Sequence, residues 1–324
     1  MPGQRLNFDQ RADLPRKGPG PYAVHAGRLL TDGVEVIVTQ HCNLRCRACA
    51  YLSPIQSPKA VDPADIEQDL SVLARYYHAS EARVLGGEPL LHPELAKILA
   101  IIRSSGISDR IRVITNGARL HRMNDAFWSA VDRVSVSVYP GSEPAEENIR
   151  EIREKAAAHD VAVNFKHFTR FREAYSETGT KDRVLLQQIF QTCQMAHVWR
   201  CHTVLEGYLY RCPQSAFLPR VIDELRLSQN TDGIRLTDSP TFLRDLLDFL
   251  ESDHPPASCS HCLGSVGRLI PNQQIPRSSW RQPQQTHTEE LLDRKHLAML
   301  LANPGLFVPD ASYLPETGMQ DGSP

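Results

Sequence analysis

Between residues 34 and 168 the apolar positions of the chain follow two alternating periods. Short runs rich in Val and Ile predict strands, and longer stretches with apolar residues three or four positions apart predict amphipathic helices. The predicted strands cover 33–39, 81–87, 110–117, 132–141 and 160–168. The helices between them cover 62–77, 92–105, 121–130 and 143–158. This alternation is typical of a parallel sheet, so we predict an α/β fold, a partial (β/α) barrel of five or six strands in which no sixth strand is evident.

After about residue 170 the pattern changes and predicts a smaller second unit. The expected elements are a helix at 181–191, a β-hairpin at 201–212, and helices at 239–251 and 288–302. The Gln/Pro-rich stretch 272–287 predicts an exposed linker. The predicted organisation is therefore a lead-in segment at 1–33, a barrel at 34–190, a small α+β domain at 191–270, and a linker with a C-terminal helix and tail at 271–324.

Charge and hydropathy argue against two classes of partner. The formal net charge is −2 at pH 7 and the isoelectric point is about 6.7, which gives no electrostatic reason to expect nucleic acid or an acidic membrane surface. No stretch approaches the roughly 18 consecutive apolar residues that a membrane span needs. The N-terminus lacks the apolar core of a signal peptide, so we expect a cytoplasmic protein.

Eight cysteines are divided into two groups, which in a reducing compartment indicates metal ligands rather than disulfides. The first group, Cys42, Cys46 and Cys49, follows the first predicted strand with three and then two intervening residues. Structural zinc prefers four ligands, commonly in two pairs, whereas three thiolates without a local fourth suit a [4Fe-4S] cluster that leaves one iron open. A zinc-stabilised α/β domain is the alternative.

The spacing C-x3-C-x2-C after the first strand of a barrel resembles the signature of the radical SAM superfamily. The resemblance implies that the three cysteines hold a [4Fe-4S] cluster and that S-adenosylmethionine (SAM) binds its open iron. One electron, from a flavodoxin or ferredoxin-type donor, then cleaves SAM to a 5′-deoxyadenosyl radical, which abstracts a substrate hydrogen. The family usually has an aromatic residue just before the last cysteine; this chain has Ala48 there and Tyr51 two residues after Cys49.

Further motifs at predicted strand ends agree with this resemblance. "GGEP" at 86–89 is similar to the loop that holds the SAM amino group in the family, with Glu88 as its acceptor. The implied cofactor contacts are Tyr51, Gly86, Gly87, Glu88, Asn116 and Ser137. Near the barrel mouth, Tyr139 and His167, with Lys166, are candidates to bind substrate or remove a proton; for each, a structural polar role is the alternative.

The second cysteine group resembles the auxiliary-cluster modules of the same family, called SPASM or twitch. The spacing C-x13-G-x4-C followed by C-x2-C implies a second [4Fe-4S] cluster in a twitch-like domain, held by Cys193, Cys212, Cys259 and Cys262. Four thiolates in two pairs also suit structural zinc. Cys193 and Cys201 are both candidates for the first of these positions, but Cys201 would give only C-x5-G-x4-C, so we take Cys201 as the spare thiol. It is either a small buried apolar residue or a hydrogen-atom donor to a substrate radical.

The resemblance implies a radical SAM oxidoreductase. One auxiliary cluster resembles members that oxidise an aminocyclitol alcohol, so we expect dehydrogenation of a small polyol, aminosugar or nucleoside-type molecule. The alternatives are a peptide-modifying enzyme of the family, for which a lead-in of 33 residues is short, and an epimerase that uses Cys201. A non-catalytic protein with two zinc sites belongs to a different class, which metal content distinguishes.

Overall fold

The computed structural model describes residues 22–226, 229–306 and 313–314. Its strands, in chain order, are β1 (Ala23–His25), β2 (Arg28–Thr31), β3 (Val34–Thr39), β4 (Tyr77–Gly86), β5 (Ser108–Thr115), β6 (Arg133–Val138), β7 (Ala162–Phe168), β8 (Arg170–Arg172), β9 (Thr203–Leu205), β10 (Tyr208–Tyr210), β11 (Gly233–Arg235), β12 (Leu269–Pro271) and β13 (Tyr313–Leu314).

The helices, in chain order, are α1 (Pro63–Leu73), α2 (Leu95–Ser105), α3 (Asp125–Trp128), α4 (Glu146–Ala158), α5 (Arg183–Gln191), α6 (Gln194–His197), α7 (Pro213–Phe217), α8 (Gln229–Asp232), α9 (Phe242–Glu251), α10 (Thr288–Leu291) and α11 (Arg294–Ala302). Within the described ranges, no helix is long and apolar enough to span a membrane.

Strands β3 to β7 pair in parallel and in chain order, with a helix in each of the four connections. A sixth parallel strand, β9, pairs with the other edge of β3, and β10 and β11 continue the sheet in antiparallel fashion. The α/β class and the partial barrel are thereby confirmed. The sixth strand was not evident in the sequence because β9 has three residues, too few to show a period.

Alternation along β3 separates the two faces of the sheet. Val34, Val36 and Val38 belong to the main apolar core, with exposures of 1% or less, while Glu35 lines a cavity on the opposite, concave face. The concave face is therefore where chemistry-bearing residues gather, as expected for a barrel of parallel strands.

Most predicted elements are present, but their ends differ. Helix α1 ends at Leu73, four positions before the predicted end, because Tyr77 already pairs with Leu29 at the start of β4. The predicted helix 288–302 is two helices, α10 and α11, with Asp293 capping the second through the backbone amide of His296. The predicted hairpin turn forms at Glu206 and Gly207, both at positive φ.

Two segments predicted to be loose or exposed are packed against the barrel. Residues 23–31 of the predicted lead-in form the β1–β2 hairpin, whose second strand pairs with β4; residues 1–21 lie outside the described ranges, as does most of the predicted tail. The stretch 272–287, named the strap from here on, was predicted as an exposed linker. Nine of its 16 residues are exposed, as predicted, but Trp280 and Gln284 are fully buried and Trp280 contacts the first cysteine group, so the strap is not a free linker.

Candidate active site

A cavity of about 420 Å³ opens on the concave face at the carboxyl ends of the parallel strands. It brings together the first cysteine group and the strand-end motifs. The sequence-predicted residues that line it are Cys42, Cys46, Cys49, Tyr51, Gly86, Gly87, Glu88, Asn116, Ser137, Tyr139 and Cys201.

The three thiols of the first group lie on the loop after β3. Burial raises the pKa of Cys42 and of Cys46 to about 12, and it also raises the pKa of Cys49. The backbone amide of Leu44 donates to Cys42 Sγ at 3.4 Å. Thiols in this setting are neutral unless a cation is present to stabilise the thiolates, and a bound metal is such a cation.

Gly86 and Gly87 allow the β4 end to touch the cysteine loop. A Cβ on Gly87 would lie 2.1 Å from the carbonyl oxygen of His41 and 3.0 Å from the amide nitrogen of Cys42. The amides of Gly87 and Glu88 donate to the carbonyl oxygens of Thr39 and His41, both at 2.8 Å. The glycines therefore fix the position of the loop, in addition to leaving room for a ligand.

The carboxylate of Glu88 is buried and already accepts three hydrogen bonds. They come from Thr115 Oγ1 at 2.5 Å, the Asn116 amide at 2.7 Å and the Leu90 amide at 3.1 Å. Burial raises the pKa of Glu88 to about 7, against the opposing effect of these bonds. A carboxylate has about four lone-pair positions, so one acceptor position remains for a ligand.

Asn116 joins the β5 end to the cysteine loop. Its Nδ2 donates to Asn43 Oδ1 at 2.8 Å, and Asn43 lies next to Cys42. Asn43 could not be recognised from the sequence, because an isolated Asn between two motif residues carries no signal of its own.

A polar cluster centred on Glu35 forms another part of the wall. Tyr51 Oη and Thr203 Oγ1 each donate to Glu35 Oε2 at 3.2 Å, and the side chain of Cys201 hydrogen-bonds the same carboxyl. Burial raises the pKa of Glu35, of Tyr51 and of Cys201. Glu35 was missed by sequence analysis, although a lone carboxylate within the apolar run "GVEVIVT" is a signal that could have found it.

Tyr139 and His167 have different surroundings. The hydroxyl of Tyr139 bonds Ser137 in the cavity, and its ring lies 5.6 Å from that of Phe171. His167 is exposed and is not among the residues that line the cavity. It pairs with Val138, whereas Lys166 pairs with cavity-lining Ser137, so the alternation of β7 turns His167 away from the concave face. The prediction that His167 faces the barrel mouth is therefore corrected.

The second cysteine group surrounds a smaller cavity of about 20 Å³. Its lining includes Cys193, Cys212, Cys259 and Cys262 but not Cys201. The amide of Gly264 donates to Cys262 Sγ at 3.2 Å, and Ser215 Oγ lies 3.4 Å from Cys212 Sγ. Among the described residues, no group of three or more His, Cys, Asp or Glu side chains lies close enough together to hold a metal ion.

The two cavities are neighbours. Gln214 and Gly264 line both of them. His296, on α11, also lines the larger cavity; burial lowers its pKa, so its imidazole is neutral near pH 7. His296 was missed because nothing in the sequence connects the C-terminal helix with the barrel.

Residues 36–187 match the family described as the Radical SAM superfamily. A domain of this family implies a [4Fe-4S] cluster and SAM. The residues present fit that group, because three thiols, one buried and two partly buried, share one cavity with a glycine-lined strand end and leave a fourth ligand position to the cofactor.

Similar curated proteins include the GTP 3′,8-cyclases of Chlorobaculum tepidum, 32% identical over 108 residues, and of Streptomyces coelicolor, 33% identical over 116 residues. These matches cover 33% and 35% of this chain, and 32% and 34% of the relatives. The chain thus spans about a third of the length of the curated relatives it matches.

Similar solved structures include BtrN in complex with AdoMet and 2-DOIA, at 19% identity and a TM-score of 0.40, covering 72% of this chain and 94% of that chain. Another is anSMEcpe with bound AdoMet, at 17% identity and a TM-score of 0.34, covering 42% of this chain and 43% of that chain.

Proposed function

We propose that the chain is a radical SAM oxidoreductase with a second iron–sulfur cluster, and that it dehydrogenates a small polyol, aminosugar or nucleoside-type substrate. When bound, the first cluster and SAM supply a 5′-deoxyadenosyl radical. Cys42, Cys46 and Cys49 would hold the first cluster. Cys193, Cys212, Cys259 and Cys262 would hold the second.

The observation that carries this proposal is that the two thiol-lined cavities adjoin. Because Gln214 and Gly264 line both, a substrate in the larger cavity lies close to whatever the second group holds. Proximity of this kind suits transfer of an electron from the substrate to a second redox centre.

Oxidation of a secondary alcohol to a ketone requires the loss of a hydrogen atom, a proton and an electron. The hydrogen atom on the carbinol carbon passes to the 5′-deoxyadenosyl radical and gives 5′-deoxyadenosine. The hydroxyl proton passes to a base, for which the neutral imidazole of His296 is our candidate. The remaining electron would pass to the second cluster, if Cys193, Cys212, Cys259 and Cys262 hold one, and the substrate becomes a ketone.

The charges in the cavity favour a substrate without a dense negative charge. Among the described residues that line it, the one Lys or Arg side chain is Arg172. Its Nη1 donates to the carbonyl oxygen of Gly267 at 2.8 Å and lies 3.6 Å from Asp293 Oδ2. The curated relatives are named for GTP, a nucleoside triphosphate. Its phosphates would meet one guanidinium in this cavity, which already binds Gly267 and Asp293, so we favour a polyol or aminosugar over GTP as the substrate.

A second candidate is epimerisation, because Cys201 lines the substrate cavity as a buried, neutral thiol. In that reaction the substrate radical takes the hydrogen atom of the thiol on its opposite face. The sulfur radical returns to a thiol by gaining one proton and one electron; a second cluster, if bound and reduced by the external donor, would supply that electron.

Metal content and SAM cleavage test the proposal. The chain is reconstituted anaerobically, iron, sulfide and zinc are counted, and 5′-deoxyadenosine is measured with dithionite. About eight irons with cleavage support two clusters. About four irons plus one zinc, with cleavage, would mean that the second group holds zinc, which cannot accept the electron, and would overturn the dehydrogenase proposal. Two zincs without cleavage would mean a non-catalytic protein.

Substrate class is tested with polyols and aminosugars deuterated at each carbinol position, and with GTP as a comparison. Transfer of deuterium into 5′-deoxyadenosine together with a carbonyl product supports dehydrogenation. Solvent hydrogen at an inverted carbon, without carbonyl product, supports epimerisation. Turnover of GTP alone would overturn the proposed substrate class.

A further inference from the structure

The strap contacts the first cysteine group through one residue, Cys46. Cys46 and Gln274 form an antiparallel bridge. The amide of Arg47 donates to the carbonyl oxygen of Gln273 at 2.9 Å, and the amide of Ile275 donates to that of Arg45 at 3.1 Å. The loop that would hold the first cluster is therefore paired with a segment more than 220 residues away in sequence.

The side chain of Gln274 points its amino group at the sulfur of Cys46. Nε2 lies 3.0 Å from Cys46 Sγ, while Oε1 accepts from the backbone amide of Arg45. A backbone N–H can only donate, so it must face the amide oxygen of Gln274. This fixes the amide orientation and leaves the two N–H donors on the side of the thiol.

A second contact holds the backbone of the same cysteine. Trp280 is fully buried, its ring is stacked on Tyr175 at 6.0 Å, and its Nε1 donates to the carbonyl oxygen of Cys46 at 3.0 Å. Arg47, next in the chain, pairs with buried Glu173 at 2.7 Å, and Glu173 also accepts from Gln284 of the strap at 2.8 Å. The strap thus forms hydrogen bonds with both the sulfur of Cys46 and the backbone of its loop.

We propose that Gln274 is a positioning residue that sets the reduction potential of the first cluster, and that Trp280 keeps Cys46 in the place where this contact forms. An N–H donor on a cluster sulfur stabilises the more negative, reduced state more than the oxidised state. Gln274 therefore makes reduction of the cluster, and with it SAM cleavage, easier. The inference rests on the proposed function, since it requires a cluster at Cys42, Cys46 and Cys49.

The test compares midpoint potentials in redox titrations followed by electron paramagnetic resonance, with the first cluster identified by its spectral change on adding SAM. Gln274→Met removes the donor at similar length, and Gln274→Glu also places an anionic oxygen near the sulfur. Gln273→Met is the matched control, because Gln273 is exposed like Gln274 but contacts the loop through its backbone carbonyl.

We expect the ratio of reduced to oxidised first cluster, at a fixed applied potential, to drop about three- to tenfold in Gln274→Met. For a one-electron couple this corresponds to a midpoint potential lower by about 30–60 mV. Gln274→Glu should fall further, and Gln273→Met should match the wild type. Trp280→Phe should mainly speed the loss of the first cluster, and of its iron, in a chelator challenge.

Each outcome has a distinct meaning. A wild-type midpoint in both Gln274 variants, with full iron content, would overturn the hydrogen-bond inference and leave the proposed function standing. Equal loss of iron in the Gln274 variants and in Gln273→Met, with no change of midpoint in what remains, would reduce the strap to a purely structural role and also overturn it. A wild-type protein that binds no iron would overturn the proposed function itself.

Discussion

Cys201 and Glu35 share a hydrogen bond on the wall of the larger cavity, whereas Cys193 lines the smaller one. Cys193 and Cys201 were the two candidates for one ligand position in the second cysteine group. Their placement on different cavities means that replacing each has a different effect on metal binding.

We predict that Cys193→Ala loses the proposed second cluster and that Cys201→Ala keeps it. Cys193 shares its cavity with Cys212, Cys259 and Cys262, so its removal leaves three thiols. The expected iron content falls from about eight to about four per chain in Cys193→Ala. Iron and sulfide analysis after reconstitution measures both variants. A loss of iron in Cys201→Ala with full loading of Cys193→Ala would reverse the assignment.

The contact between the end of β4 and the cysteine loop gives a steric prediction. A Cβ on Gly87 would lie 2.1 Å from the carbonyl oxygen of His41, so Gly87→Ala must displace the loop. We expect at least a tenfold weaker SAM affinity, measured by equilibrium binding to the reconstituted protein.

Gly106→Ala is the matched control for Gly87→Ala. Its Cβ would meet nothing within 4 Å, although its positive φ makes the change cost roughly 1 kcal/mol of stability. It should keep full SAM affinity. Normal affinity in Gly87→Ala would show that the loop is free to move away from β4.

The barrel could be predicted from the sequence because its strands are long enough to show a period. The runs of β3 to β7 and the glycines and cysteines at their ends sit at fixed offsets in the chain. The strap could not be predicted in this way. Its Gln and Pro content is typical of a solvated linker. Its attachment to the barrel depends on the contact of buried Trp280 with Tyr175 and Cys46, a tertiary contact that leaves no periodic pattern in the sequence.

The candidate site shows the same division. Residues within local motifs, such as Gly87 and Glu88, line the cavity as expected. Glu35, Gln274 and His296 were missed because each is a single polar residue whose role depends on what folding brings beside it. His167 was misplaced because one residue of register along β7 decides which face of the sheet a side chain takes.

The placement of His296 predicts a defect in proton removal. Burial keeps its imidazole neutral, and it lines the larger cavity together with Arg172. His296→Gln should lower carbonyl product formation by about 10²- to 10⁴-fold, while abortive SAM cleavage continues. In the wild type, product formation should fall as the pH drops through the lowered pKa of His296. Comparison of the two rates across pH is the measurement, and a parallel loss of both activities would instead indicate a binding defect.

The hydrogen bond from the Gly207 amide to Asp69 Oδ2, at 2.9 Å, ties the β9–β10 turn to α1 and predicts a pH-dependent stability. Burial raises the pKa of Asp69 to about 6. A group whose folded-state pKa is raised stabilises the fold below its unfolded pKa, near 4, and loses that contribution as the pH rises past 6. Asp69→Asn keeps an acceptor for Gly207 without the charge.

The free energy of unfolding of Asp69→Asn, relative to that of the wild type, should therefore increase by about 1–2 kcal/mol between pH 4.5 and 7.5 in urea denaturation. Exposed Glu67→Gln, on the same helix, should show no such trend; a trend in both variants would assign the effect to net charge.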